Sequence, residues 1–244
     1  TEALRDGAPV IWDDNPDNIC YYHEQGDKPA TDAAFAAAAH VVRQDLWINR
    51  VSANSMEPRG ALGVYNAFED RYTLYSGLQT PHRNRADIAD NILHIPETKM
   101  RVVANDVGGS FGMKGGTYRE QPLVLWAAKK VGRPVKWLSD RSEALLTDNH
   151  ARDNQTAAEL ALDADGKILS LRVKTVVNVG GQLSSRGPHS GIANLGTLSG
   201  TYVLPSIYVQ VTGAFTNSGS TSAYRGAGRP EAAYVIERML DIAA

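Results

Sequence analysis

The strongest constraint on the fold is a pair of long β-type segments, Asn154–Leu162 and Ile168–Val179, linked by the turn dipeptide Asp165-Gly166. Runs of this length, rich in Leu, Val and Thr and separated by Asp-Gly, close as an antiparallel hairpin that must cover one face with other elements. Ile207–Phe215 is a further predicted strand, and Arg43 to Val51 alternates roughly as another. Ala61 to Tyr65 and Tyr72 to Leu78, joined by Glu69-Asp70, read as a second hairpin, with short strands predicted at Lys99–Ala104 and Val135–Leu138. Asp32 is the predicted cap of an Ala-rich helix running to Val41, and a polar helix is predicted from Pro81 toward Ile95-Pro96. Glu120 to Val131 carries Pro122 in its first turn and Gly132 just past its end. It is apolar almost all round, at Leu123, Val124, Leu125, Trp126, Ala127 and Ala128, and is expected to be buried. A last helix starts at Pro230, with Glu231 beside the positive end of its dipole. The resulting class is α+β, with mixed sheets, long antiparallel hairpins and packed helices rather than a regular βαβ winding.

Residues 1–30 are rich in Asp, Asn, Pro and Gly and read as a turn-rich linker or the tail of a preceding domain, leaving 31–244 as the principal domain. With 244 residues, 43% of them hydrophobic and 21% charged, the chain can bury a core. A net charge of −2 with both signs interspersed offers no basic stripe for nucleic acid. No apolar run approaches the roughly 20 residues needed to span a bilayer. Cys20 is the single cysteine, so the chain has no internal disulfide, thiolate zinc site or iron-sulfur cluster of its own, and a cytoplasmic, reducing compartment is expected. A start at Thr1 and an end inside a helix mark the chain as an expected internal fragment.

The segment Asp106 to Gly116 places five glycines between a strand and a helix, where unhindered N–H groups can form an anion-binding nest. It is not a P-loop, because Lys114 follows Met113 and precedes Gly115 rather than Ser or Thr. Gly226-Ala227-Gly228-Arg229-Pro230-Glu231 fails as a dinucleotide fingerprint, with Glu231 in the third glycine's place. Gly108-Gly109-Ser110-Phe111-Gly112 does satisfy the G-x-S-x-G elbow of a serine hydrolase, with Asp140 or Asp148 and then His150 or His189 downstream. In an elbow, however, the helix starts almost at the serine, and here it begins near Glu120. The hydrolase using Ser110 stands as the alternative reading.

Three motifs occur together and in order: Gln79-Thr80-Pro81-His82, the glycine loop, and Ala223-Tyr224-Arg225-Gly226-Ala227-Gly228-Arg229-Pro230-Glu231. Their order and separations resemble the molybdenum-binding large subunits of xanthine dehydrogenases, aldehyde oxidoreductases and aerobic carbon monoxide dehydrogenases. Met56-Glu57-Pro58-Arg59 and Asp140-Arg141-Ser142-Glu143 are similar to this family as well. The resemblance implies a first molybdopterin-binding domain, preceded by a hammerhead-like domain whose tail would be residues 1–30. It implies that Gln79 hydrogen-bonds near the apical oxo ligand of molybdenum, and that the backbone at Phe111 and Gly112 lies over the same ligand and the pterin. Gly109, Ser110, Arg225 and Gly226 would complete the cofactor contacts, Ser110 mainly as a spectator. No residue of this chain would be a metal ligand.

The implied cofactor is molybdenum in a molybdopterin cytosine dinucleotide, with iron-sulfur clusters and FAD on small and medium partner subunits in a dimer of heterotrimers. The implied reaction hydroxylates an electron-poor carbon with oxygen from water. The family's base is a glutamate beyond residue 244, so the 244 residues alone are expected to be an inactive structural fragment. Members that oxidise carbon monoxide hold copper on a cysteine directly after the Tyr-Arg pair, where this chain has Gly226. Purine hydroxylases carry charged and stacking residues where this chain has Gly115, Ala193 and Ala227. An aldehyde or another N-heterocycle is the expected substrate.

Overall fold

The computed structural model describes residues 2–193 and 195–244, which form two compact units, one of Thr1–Val51 with Asn149–Ala244 and one of Ser52–Asp148.

The first unit is built on a five-stranded mixed sheet of β1 (Ile19–Gly26), β9 (Ser206–Phe215), β8 (Ile168–Gly180), β7 (Asn154–Leu162) and β2 (His40–Ile48), in that spatial order. The β7–β8 hairpin forms as the sequence predicts, and β2 adds antiparallel to β7 through nine paired residues from His40/Leu162 to Ile48/Asn154. β9 runs parallel to β8 and antiparallel to β1. Residues 19–26 are therefore an edge strand rather than part of a turn-rich linker. Helix α1 (Lys28–Ala37) starts one turn earlier than predicted, because Asp27 caps it by accepting from the Ala30 N–H and Pro29 sits in its first turn. Asp32 instead pairs with Lys28 and Arg172. Helix α6 (Arg229–Ala243) buries Ala232, Val235, Ile236 and Met239 against Leu46, Leu160, Val173 and Val177 of the sheet. A four-residue helix, α5 (His189–Ile192), precedes the strand β9.

The second unit carries a four-stranded sheet in the order β5 (Met100–Val103), β4 (Arg71–Ser76), β3 (Gly60–Asn66) and β6 (Val135–Leu138). The predicted β3–β4 hairpin forms, β6 pairs antiparallel to β3, and β5 runs parallel to β4. Helix α2 (Pro81–Ile88) ends earlier than predicted, passing into a π-type turn at Ala89–Leu93 that His94 closes in the left-handed region at φ 52°. Helix α3 (Glu120–Val131) matches its predicted bounds, but it is not buried all round. Val124, Leu125 and Ala128 face the sheet, while Leu123 and Trp126 are 58% and 54% exposed. Its close approach to β3 requires Gly63, since a Cβ there would lie 2.5 Å from the Val124 carbonyl oxygen. Helix α4 (Arg141–Thr147) was not predicted; Asp140 caps it by accepting from the Glu143 N–H at 2.7 Å.

Candidate functional site

The glycine loop lies between β5 and α3, and its geometry is set by a buried cation. Lys114 is 2% exposed, and its ammonium donates to Glu57 Oε2 at 2.7 Å. The same carboxylate oxygen accepts from the Gly108 N–H at 3.0 Å, while the Glu57 N–H donates back to the Gly108 carbonyl at 3.0 Å. Burial would push the Glu57 carboxyl up, but Lys114 and the Gly108 N–H outweigh it and hold the group below its ordinary range. Gly108 has to be glycine here, because a Cβ would meet the Glu57 Cβ at 2.5 Å. The Met56-Glu57-Pro58-Arg59 motif is thus the loop's anchor. Arg59, equally buried, donates to Asp148 (2.6 Å), Glu120 (2.7 Å) and Thr147 (2.9 Å), with its guanidinium 3.8 Å from the Tyr118 ring centre. Arg141 of the Asp140-Arg141 motif ties down the preceding turn through the carbonyls of Ser55 and Met56 at 2.6 and 3.0 Å.

Five of the predicted site residues come together on this unit. Gln79, exposed at the end of the segment after β4, accepts through Oε1 from the Ser110 hydroxyl at 2.7 Å and from the Gly112 N–H at 3.1 Å. Its backbone N–H donates to the Lys114 carbonyl at 3.1 Å. Gly109 and Gly112 hold φ of 99° and 103°, and Phe111 between them is a non-glycine residue at φ 55° that is 47% exposed. Such a backbone costs roughly 1–3 kcal/mol and persists where surrounding contacts impose it. The Gly112 N–H, expected to face the cofactor, is instead committed to Gln79. Among the described residues, the N–H groups of Gly109, Ser110 and Phe111 and the Gln79 Nε2 have no acceptor.

The hydrolase alternative fails on the same geometry. The hydroxyl of Ser110 donates to Gln79 and accepts from the Lys114 N–H at 3.2 Å, with no histidine among its partners, and the helix following the loop begins at Glu120. An activated serine needs a base in hydrogen-bond reach and a helix start beneath it.

Arg225 and Gly226 lie in the other unit, on a turn closed by hydrogen bonds from Ala227 N–H to the Tyr224 carbonyl (2.8 Å) and from Arg229 N–H to the Gly226 carbonyl (3.1 Å). Gly226 sits at φ 92°, and a Cβ there would meet Pro230 Cδ at 2.7 Å. The exposed Arg225 side chain extends from this turn. Arg152, itself at φ 63°, supports the turn by placing its guanidinium 4.9 Å from the Tyr224 ring centre and 3.4 Å from both the Arg225 carbonyl and Glu231 Oε1. Burial pushes the Glu231 carboxyl above its ordinary range, only partly offset by backbone groups at the helix start and by Arg152. Neither Arg152 nor Glu57 was singled out as a site residue from sequence. The Met56-Glu57-Pro58-Arg59 motif was the available signal for Glu57, and none was available for Arg152.

No group of three or more His, Cys, Asp or Glu side chains is arranged to hold a metal among the described residues. The site of the second unit therefore offers neutral donors, fixed in place and aimed at no protein acceptor. Donors of this kind can hold an electron-rich, oxygen-bearing group without ligating a metal themselves. The family model described as the molybdopterin cofactor-binding domain matches residues 11–244, and the chain belongs to that family. It is 36% identical over 258 residues to the carbon monoxide dehydrogenase large chain of Hydrogenophaga pseudoflava, covering 100% of this chain and 32% of that protein. It is also 36% identical over 212 residues to the 6-hydroxypseudooxynicotine dehydrogenase complex subunit gamma of Paenarthrobacter nicotinovorans, covering 87% of this chain and 26% of the relative. Among solved structures, quinoline 2-oxidoreductase from Pseudomonas putida 86 superposes with a TM-score of 0.92 at 29% identity, over 100% of this chain and 31% of that one. The chain thus spans about a quarter to a third of the length of the curated relatives it matches.

Proposed function

We propose that the complete subunit is a molybdenum hydroxylase that oxidises an N-heterocycle or an aldehyde with oxygen from water. The observation that carries this reading is the Gln79 amide, pinned through its oxygen by Ser110 and Gly112 so that its NH2 remains as a donor beside the free N–H groups of Gly109, Ser110 and Phe111. When bound, the molybdenum-pterin group supplies the two-electron redox chemistry. Gln79 Nε2 and the N–H groups of residues 109–111 hold it by donation to its oxygen atoms. Arg225 and Gly226, on a turn of the other unit whose backbone Arg152 fixes, remain proposed cofactor contacts. The dinucleotide form with cytosine, the iron-sulfur and FAD partner subunits, their assembly as a dimer of heterotrimers, a preceding hammerhead-like domain, and a cytoplasmic setting belong to the same proposal. No helix among the described residues is long and apolar enough to cross a membrane.

Gly226 supports a substrate other than carbon monoxide. Its φ of 92° and the crowding by Pro230 leave no room for a side chain that could carry a copper-binding sulfur. The 244 residues by themselves are proposed to have no turnover. The test is to supply quinoline, nicotine and aromatic aldehydes to the complete complex in ¹⁸O-labelled water. A hydroxylated or carboxylate product carrying the label is expected; a hydroxylated heterocycle without the label, its oxygen taken from O2, would contradict the reading.

A further inference from the structure

Hydrogen-bond polarity around Gln79 has one solution. A backbone N–H can donate but not accept, so the Gly112 N–H at 3.1 Å identifies the facing amide atom as Oε1 rather than Nε2. The Lys114 N–H, 3.2 Å from Ser110 Oγ, likewise takes that oxygen as acceptor, which leaves the hydroxyl hydrogen for Gln79 at 2.7 Å. Donation runs one way, from Lys114 N–H to Ser110 to Gln79. Turning the amide over would set its NH2 against the Gly112 N–H, donor against donor. The backbone of Gln79 cannot swing aside to relieve this, because it is bonded to the Lys114 carbonyl, and Lys114 is held in turn by Glu57.

We propose that Ser110 is a positioning residue: its hydroxyl, together with the Gly112 N–H, locks the Gln79 amide so that Nε2 is the atom offered to an oxo or oxyanion group in front of the loop. The identity of that group as an oxo-molybdenum centre rests on the proposed function. Ser110 therefore acts through Gln79 and is neither a nucleophile nor a spectator. Without the hydroxyl, one of the two bonds that orient the amide is lost and the Gly112 N–H alone opposes the flip, in which the amide would offer oxygen against oxygen to the same group.

The test uses the complete subunit purified with its partner subunits, as wild type, S110A and S110T. Two readouts are taken: the Mo(V) electron paramagnetic resonance spectrum after dithionite reduction, and the rate at which molybdenum is lost during incubation. S110A is expected to shift the Mo(V) signal and to lose molybdenum roughly three- to tenfold faster, the equivalent of one hydrogen bond. S110T, which keeps the hydroxyl, is expected to restore both. If S110A does not accumulate, S110G removes the same hydroxyl in a loop already rich in glycine and carries the comparison. A signal and a loss rate unchanged in the hydroxyl-free variant, or a failure of S110T to restore them, overturns the role of Ser110 while leaving the functional reading intact. Wild-type complex without molybdenum overturns that reading and this inference with it.

Discussion

Glu57→Gln tests the anchor of the glycine loop. The Lys114 side chain is 1% exposed and that of Glu57 40% exposed, so the two halves of the pair are not equivalent. Removing the negative charge leaves a buried ammonium uncompensated, which for fully buried pairs costs about 3–5 kcal/mol. Water reaches Glu57 from one side and screens the interaction, so about 1–2 kcal/mol is the expected cost. Removing the positive charge by Lys114→Met leaves a carboxylate that can hydrate, and is expected to cost less. The assay is native-state hydrogen exchange of the peptide spanning 108–116 in the complete protein. In E57Q the exchange should accelerate about 5- to 30-fold, the equivalent of one to two kcal/mol. K114M should accelerate it less, and the double variant should recover much of the protection lost in E57Q. The pH dependence has a definite sign. Because the folded-state pKa of Glu57 is depressed from 4.5, its contribution is complete above that value and is lost as pH falls through the folded pKa. The gap between wild type and E57Q should close accordingly in acid. Greater damage from K114M than from E57Q, or no recovery in the double variant, would refute the reasoning.

Gly63→Ala forces a methyl to within 2.5 Å of the Val124 carbonyl and should destabilise the packing of α3 on β3 by about 1–3 kcal/mol, measured by urea unfolding. Gly226→Ala meets both a φ of 92° and Pro230 at 2.7 Å, a strain of about 1–3 kcal/mol. It should depress turnover by the complete complex while leaving hydrogen exchange in peptides 108–116 unchanged, since those belong to the other compact unit.

Local punctuation made some elements legible from sequence to the residue. Pro122 and Gly132 bracket α3 at its observed bounds, and Asp165-Gly166 fixes the β7–β8 hairpin. The parallel pairing of β8 with β9, and of β4 with β5, was not legible, because no short-range turn chemistry encodes a parallel neighbour. The cap of α1 was misplaced because Asp27 and Asp32 have the same capping chemistry, and Pro29 was the distinguishing signal. Leu123 and Trp126 mislead in another way, since an apolar residue is not obliged to be buried. At the site, the residues Gln79, Gly109, Ser110, Phe111 and Gly112 were readable as a group from their motifs. Their hydrogen-bond directions were not. The pairing of Lys114 with Glu57 crosses 57 residues, and the commitment of the Gly112 N–H to Gln79 depends on the folded loop alone.

The central claim is that Gln79 Nε2 and the N–H groups of residues 109–111 hold a molybdenum-pterin group by donating to its oxygens. It is tested most directly by metal and pterin analysis of the complete complex, wild type against Gln79→Ala. The expected result is stoichiometric molybdenum and pterin in the wild type, with a Mo(V) signal that is altered in Q79A. Wild-type complex free of both molybdenum and pterin, or a Mo(V) signal indifferent to the loss of the Gln79 amide, would contradict it.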